Sequence, residues 1–117
     1  MVESSPAVVN DEHATARTRP ALEGITGAGR VIDPGPVTGS EDVGVLASAA
    51  GAPCVFWLLG GADQTPFAHA TSMDEIRNLV APIPSNHSPR YAPVIDPTIE
   101  VGVHALTRAA RTWLAES

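Results

Sequence analysis

Eleven prolines and ten glycines are spread along 117 residues, and they cut the chain into short pieces before any other feature acts. Proline removes a backbone donor and glycine loses the most conformational freedom on folding, so neither sits well inside a helix or strand. Aromatic residues make up only 4% of the chain, which leaves Val, Leu, Ile and Ala to fill a core. A compact chain of this length buries roughly 65% of the surface that its unfolded form exposes. One small domain is allowed, and two are not. With 44% apolar and 17% charged residues, disorder along the whole length is not expected.

Between the breakers, local signals predict the elements. Val2 to Val9 reads as the remnant of a strand. Asn10-Asp11 offers a helix cap ahead of an Ala-, Arg- and Leu-rich run from Glu12 to Gly24, with Pro20 expected to kink or divide that helix at Arg19. A short strand at Arg30-Val31-Ile32 leads into a connector, Gly27 to Gly39, centred on Asp33-Pro34-Gly35-Pro36. Ser40 reads as the next cap, with Glu41 and Asp42 in the first turn of a helix that stops at Gly51. The apolar run from Cys54 to Leu59 reads as a strand buried on both faces and ended by Gly60-Gly61. Asp63 to Ala70 reads as a loop. Ser72 and Glu75 have capping-box spacing for a short helix ending near Ala81. Asp96-Pro97 starts the last helix, whose Ile99, Val103, Leu106, Ala110 and Trp113 recur on one face and are expected to pack. The reading is an α/β chain with several helices, few strands, and part of its sheet missing.

Charge and cysteine usage exclude several classes. The formal charge is −6, lysine is absent, and arginine is nowhere clustered, so a phosphate backbone finds no basic patch and nucleic acid is not an expected partner. Cys54 is the single cysteine, so an internal disulfide cannot form, and a reducing cytoplasm is the expected compartment. The first ten residues lack the pattern of a signal peptide, and the longest apolar run is too short to span a bilayer, so no membrane role is expected.

Three segments carry candidate chemistry: Gly39-Ser40-Glu41-Asp42, Phe56-Trp57-Leu58-Leu59-Gly60-Gly61, and Asn86-His87-Ser88-Pro89-Arg90-Tyr91. In this order and spacing they resemble the C-terminal signature of the metal-dependent amidohydrolases and peptidases of the aminoacylase and carboxypeptidase-G type. The nearest branch is that of hippurate hydrolase and the N-acyl-amino-acid amidohydrolases. The resemblance runs from about Val9 to Leu114. It implies the C-terminal portion of a di-metal exopeptidase-like α/β catalytic domain, here incomplete, with residues 1–10 a remnant of a lid-domain strand and linker and 11–117 the catalytic part. It further implies that His87 ligates a divalent metal (zinc, manganese or cobalt) and that Ser40, Glu41 and Asp42 lie beside the substrate pocket. Read alone, His87 is a polar loop residue, and Ser40, Glu41 and Asp42 are a cap and two acids at a helix start. Val43 and Tyr91 stand where the family commonly has phenylalanine.

The family's other ligands and its general base come from an early Cys-x-His segment, a paired-glutamate segment and a further histidine, whereas residues 1 to 38 contain no cysteine, no Glu-Glu pair and only His13. One histidine does not hold a metal ion. The resemblance therefore implies a piece of a truncated or split reading frame, inactive alone and without a tightly bound metal. Within a complete enzyme it would act on N-acyl amino acids. A second copy or a complementing N-terminal fragment is the expected protein partner. A non-catalytic binding module that keeps the old pattern is the other reading. His13 and His69 read as exposed, His104 as flanking the packed face of the last helix, Cys54 as a small buried hydrophobe, and Trp57 and Trp113 as core.

Overall fold

The computed structural model describes residues 7–37 and 41–115. They form four α-helices, α1 (Glu12–Thr26), α2 (Val43–Ala50), α3 (Met73–Val80) and α4 (Thr98–Leu114), and two single 3-10 turns, Ala28–Arg30 and Thr65–Phe67. Among the described residues there is no strand. The α/β expectation is thereby corrected: the regular elements of the described residues are all helical. The chain divides into two compact units, one of residues 1–58 with 103–117 and one of residues 59–102. The expected strand remnant and linker at residues 1–10 fall mostly outside the described residues.

In the first unit the start of α1 is as expected. Asp11 stays extended, and its carboxylate accepts the Ala14 N–H at 2.8 Å, filling one of the donors a helix start leaves open. Pro20, expected to kink or divide the helix, lies inside it, and α1 is assigned without interruption. The carbonyl that Pro20 leaves without an N–H partner belongs to Ala16. Both residues are exposed, so water can serve that carbonyl and the break is not forced. Arg19 braces the same stretch, paired with Glu23 at 2.6 Å and donating to the Val31 carbonyl.

Three hydrogen bonds and a ring contact tie α1 to α4. Arg17 donates to the Thr112 carbonyl at 2.9 Å, Trp113 Nε1 to Thr18 Oγ1 at 3.0 Å, and Arg108 to the Gly24 carbonyl at 3.1 Å. Arg17 and Thr18 meet Thr112 and Trp113 at the end of α4, while Gly24, further along α1, meets the earlier Arg108, so the two run antiparallel. The Arg17 guanidinium also sits 4.3 Å from the centre of the Trp113 ring, in range for a cation–π attraction. Thr18, 2% exposed, is fully satisfied: its hydroxyl accepts from Trp113 and donates to the Ala14 carbonyl at 2.8 Å. The buried hydrophobics among the described residues are Ala14, Ala105 and Ala109.

The face of α4 that the spacing predicts to pack does not. Ile99, Val103 and Leu106 are 63%, 59% and 65% exposed, and Trp113 is 40% exposed. The helix is turned so that Ala105 and Ala109 point inward instead. Small side chains suit the inner face here because the long side chains of Arg17, Arg108 and Trp113 already span the gap between the helices.

The segment from Cys54 to Leu59 has no strand partner. Its carbonyl at Cys54 accepts the Asp11 N–H at 2.8 Å, and the Asn10 side chain takes both backbone groups of Phe56, accepting its N–H at 2.7 Å and donating to its carbonyl at 2.8 Å. One carboxamide thus serves a residue that a sheet would serve with a neighbouring backbone. A strand requires a run of such pairs, and only this short stretch is provided. Cys54 to Trp57 are half-buried, and Leu58 is exposed, so burial on both faces is also corrected. The expected strand at Arg30-Val31-Ile32 is replaced by the end of a 3-10 turn, with the Val31 carbonyl taken by Arg19.

In the second unit, Gly61 is a required glycine. Its carbonyl accepts the Val94 N–H at 2.9 Å, and a Cβ placed on it would lie 2.9 Å from Pro93 Cβ. α3 is capped by Ser72 and ends at Val80, as the spacing predicts. The Asp63 to Ala70 loop contains the 3-10 turn Thr65–Phe67, and α4 begins at Thr98, one residue beyond Pro97.

Trp113→Ala removes the indole bond to Thr18 and the ring under Arg17, and leaves a buried hydroxyl short of a partner. It is expected to weaken the attachment of α4 to α1 by about 2 kcal/mol. Amide hydrogen exchange should report it as faster exchange in both helices, with α3 unchanged.

Candidate functional site

His87 sits on a tight reversal. The Ser88 N–H donates to the Ser85 carbonyl at 2.8 Å, which places Asn86 and His87 at the two corner positions, and the Tyr91 N–H donates to the Ser88 carbonyl at 3.0 Å to close a second turn over Pro89 and Arg90. The Arg90 N–H also donates to Ser88 Oγ at 3.2 Å. Prolines at positions 84 and 89 keep this segment from continuing α3. The loop character expected from the sequence is present, and the imidazole is exposed on it.

The acidic segment lies in the other unit. Ser40, the expected cap, falls outside the described residues together with Gly39. Glu41 precedes α2, and Asp42 is its cap residue by position, with no side-chain capping bond. Its carbonyl accepts the Val45 and Leu46 N–H groups at 3.0 and 3.2 Å. The two acids thus stand ahead of the helix rather than in its first turn, a correction to the spacing argument. Both are exposed. Gly51 ends α2 in the left-handed region, φ 61°, as expected for a glycine stop.

His87 belongs to residues 59–102, and Glu41 and Asp42 to residues 1–58, so each is a local feature of its own unit. Among the described residues no three His, Cys, Asp or Glu side chains are grouped closely enough to hold a metal ion. The residues present do not by themselves fit a zinc, manganese or cobalt site, since a structural or catalytic zinc takes at least three protein ligands. His13, His69 and His104 are exposed.

A concavity of about 410 Å³ lies within the first unit, with Asn10, Asp11, Ser48 and Cys54 among its lining residues. Its polar groups are engaged locally. Asp11 caps α1, Asn10 holds Phe56, and Ser48 Oγ donates to the Gly44 carbonyl at 2.8 Å. Cys54 is half-buried and free. Nothing here pairs a nucleophile with a base.

Two carboxylates have shifted acidity. Asp63 is held below its ordinary value by the Thr65 N–H and then the Thr65 hydroxyl, at 2.9 and 2.8 Å. Glu75 is lowered chiefly by the Thr71 N–H at 2.7 Å, then by the Thr71 hydroxyl at 3.1 Å, with a smaller contribution from the Ser72 N–H. The capping box is therefore present in shifted form. Ser72 Oγ accepts the Glu75 N–H at 3.2 Å, while the glutamate reaches one residue further back than the spacing rule states. Both groups serve turns and helix starts.

Asn10 and Arg17 are the side chains whose work sequence reasoning missed. Asn10 was legible only as an alternative cap beside Asp11, and nothing local signals that it reaches Phe56, 46 residues on.

No family model matches this chain, and no solved structure matches it. No helix of the described residues is long and apolar enough to cross a membrane.

A lowered carboxyl stabilises the folded form above the unfolded pKa, and that stabilisation is lost as pH falls through the folded pKa. The start of α3 is therefore expected to loosen on acidification below the ordinary glutamate value of 4.5. Amide shifts of Thr71 to Ile76 followed through acid pH should show one shared transition, and Glu75→Gln should remove it.

Proposed function

We propose that this chain is a C-terminal segment of a metallo-amidohydrolase that cleaves the amide bond of N-acyl amino acids, and that it contributes His87 as one metal ligand. The observation that carries the reading is the ordered set of three segments, with Glu41-Asp42 ahead of a helix, Phe56 to Gly61, and His87-Ser88-Pro89 on a proline-bounded reversal. An exposed histidine on a short double turn is suitably presented to a metal whose remaining ligands come from another part of the protein. Ser40, Glu41 and Asp42 take the substrate-proximal role in the same reading.

Exposed apolar surface supports it. Leu46, Leu58 and Leu59 are 69%, 64% and 44% exposed, while the buried hydrophobics among the described residues are three alanines. Apolar side chains left in water at this density are surface that a larger assembly covers. A non-catalytic interaction module is the second reading, favoured by the same exposed leucines together with the lack of a grouped set of metal ligands among the described residues.

The experiment is a chimera in which this chain replaces the corresponding C-terminal part of a working N-acyl-amino-acid amidohydrolase. Its hydrolysis of an N-acetyl amino acid is expected to depend on His87, with His87→Ala lowering both metal content and rate at least about a hundredfold. Unchanged metal content and activity in His87→Ala would refute the assignment.

A further inference from the structure

We infer that the open backbone edge of residues 54–57 pairs, antiparallel, with the same edge of a second copy of this chain. On one side the Cys54 carbonyl and both backbone groups of Phe56 are taken, by the Asp11 N–H and the Asn10 carboxamide. Backbone groups that turn to one side at every second residue belong to an extended chain, so those of Val55 and Trp57 turn to the other side. Among the described residues neither Val55 nor Trp57 has a backbone hydrogen bond. A buried unpaired backbone group costs about as much as a lost hydrogen bond, so these groups are kept at water. Both side chains are half-buried, but side chains stand perpendicular to the direction of pairing and do not close the edge. All of these residues belong to the first unit. What answers such an edge is another extended backbone.

The segment itself selects a second copy. Under a two-fold axis the same edge of each copy meets, with the strands antiparallel. Setting Phe56 against Phe56 of the second copy puts Val55 against that copy's Trp57, and Trp57 against its Val55. Each Val-Trp pair exchanges two hydrogen bonds, so every open group of Val55 and Trp57 finds a partner. Val beside Trp and Phe beside Phe are also the side-chain neighbours that stabilise antiparallel pairs. No charged residue occurs from Val43 to Ala62, so the edge carries none of the charges that keep strand edges apart. The formal charge of −6 lies outside this run, and physiological salt confines its repulsion to about 8 Å. The same geometry limits the assembly to two copies. Asn10 and Asp11 occupy the far edge of each strand, and Pro53, next along the open one, has no N–H to give. The contact is below the usual interface size, and the expected Kd is roughly tens of micromolar. The pairing does not depend on whether His87 holds a metal.

The test is sedimentation equilibrium on the full chain, joined to amide hydrogen exchange at low and high protein concentration. Wild type is expected to dimerise, and the Val55 and Trp57 N–H groups to slow as the concentration passes the Kd. The Phe56 N–H, already held by Asn10, is expected to change little. Phe56→Lys and Phe56→Glu, made separately, each set like charges face to face at the two-fold axis and are expected to associate about tenfold more weakly. Mixing them in equal amounts sets Lys against Glu, and the mixture is expected to associate about tenfold better than either variant alone. Non-specific sticking through exposed leucines gives no such recovery. A wild-type chain that stays monomeric well above the expected Kd overturns the inference. So does a dimer in which Val55 and Trp57 exchange as fast as in the monomer, or a mixture that associates no better than its components.

Discussion

The first unit depends on one small cluster, in which a threonine hydroxyl on α1 sits between its own helix and an indole from α4. Thr18 gives its proton to the Ala14 carbonyl and receives one from Trp113, while Arg17 covers the ring and reaches the Thr112 carbonyl. This is polar and aromatic attachment rather than burial of a large apolar core. With three alanines as the buried hydrophobics among the described residues, the hydrophobic contribution per residue is small, since an alanine removes little apolar area from water. Hydrogen bonds that are fully satisfied inside such an interface carry more of the specificity than they would in a thick core.

The same poverty of burial explains the surface. Leu46, Leu58, Leu106 and Leu114 are each more than three-fifths exposed, a level at which leucine stabilises nothing by its own burial. Apolar residues arrayed at helical spacing normally find a core, and here the core-facing positions of α4 are taken by alanine. The large residues are therefore available to something outside the described chain. In the proposed reading as part of a metallo-amidohydrolase, the leucines at 46, 58 and 59 are surface for the rest of that domain.

The candidate site was legible as a set of words but not as a place. The proline-bounded loop around His87 is a local feature and occurs where the residues put it, while the acidic pair stands ahead of α2 rather than in its first turn. What brings side chains together into a site is the path of the chain between them, and spacing in sequence carries little of that information. His87 and the Glu41-Asp42 pair fall in separate compact units, and Ser40 lies outside the described residues. Asn10 makes the converse point. Its two bonds to Phe56 cross 46 residues, and no local rule singles it out from any other asparagine next to a helix cap.

By itself the sequence determined the features that a few neighbouring residues can complete. Asp11 and Ser72 cap helices because a short side-chain oxygen reaches an N–H three residues ahead, and Gly51 stops one because a left-handed turn there favours a residue without Cβ. Only the tertiary structure decided what needed a distant partner. The apolar run at Cys54 to Leu59 carries strand composition, yet a strand exists only where another backbone lies beside it, and here one asparagine side chain stands in for it. Pro20 was free to remain within α1 because Ala16 and Pro20 are both exposed, so water can serve the stranded carbonyl. The face α4 buries was likewise set by Trp113 and Arg108 reaching across to Thr18 and Gly24, since periodicity marks an apolar stripe without saying whether anything is there to cover it.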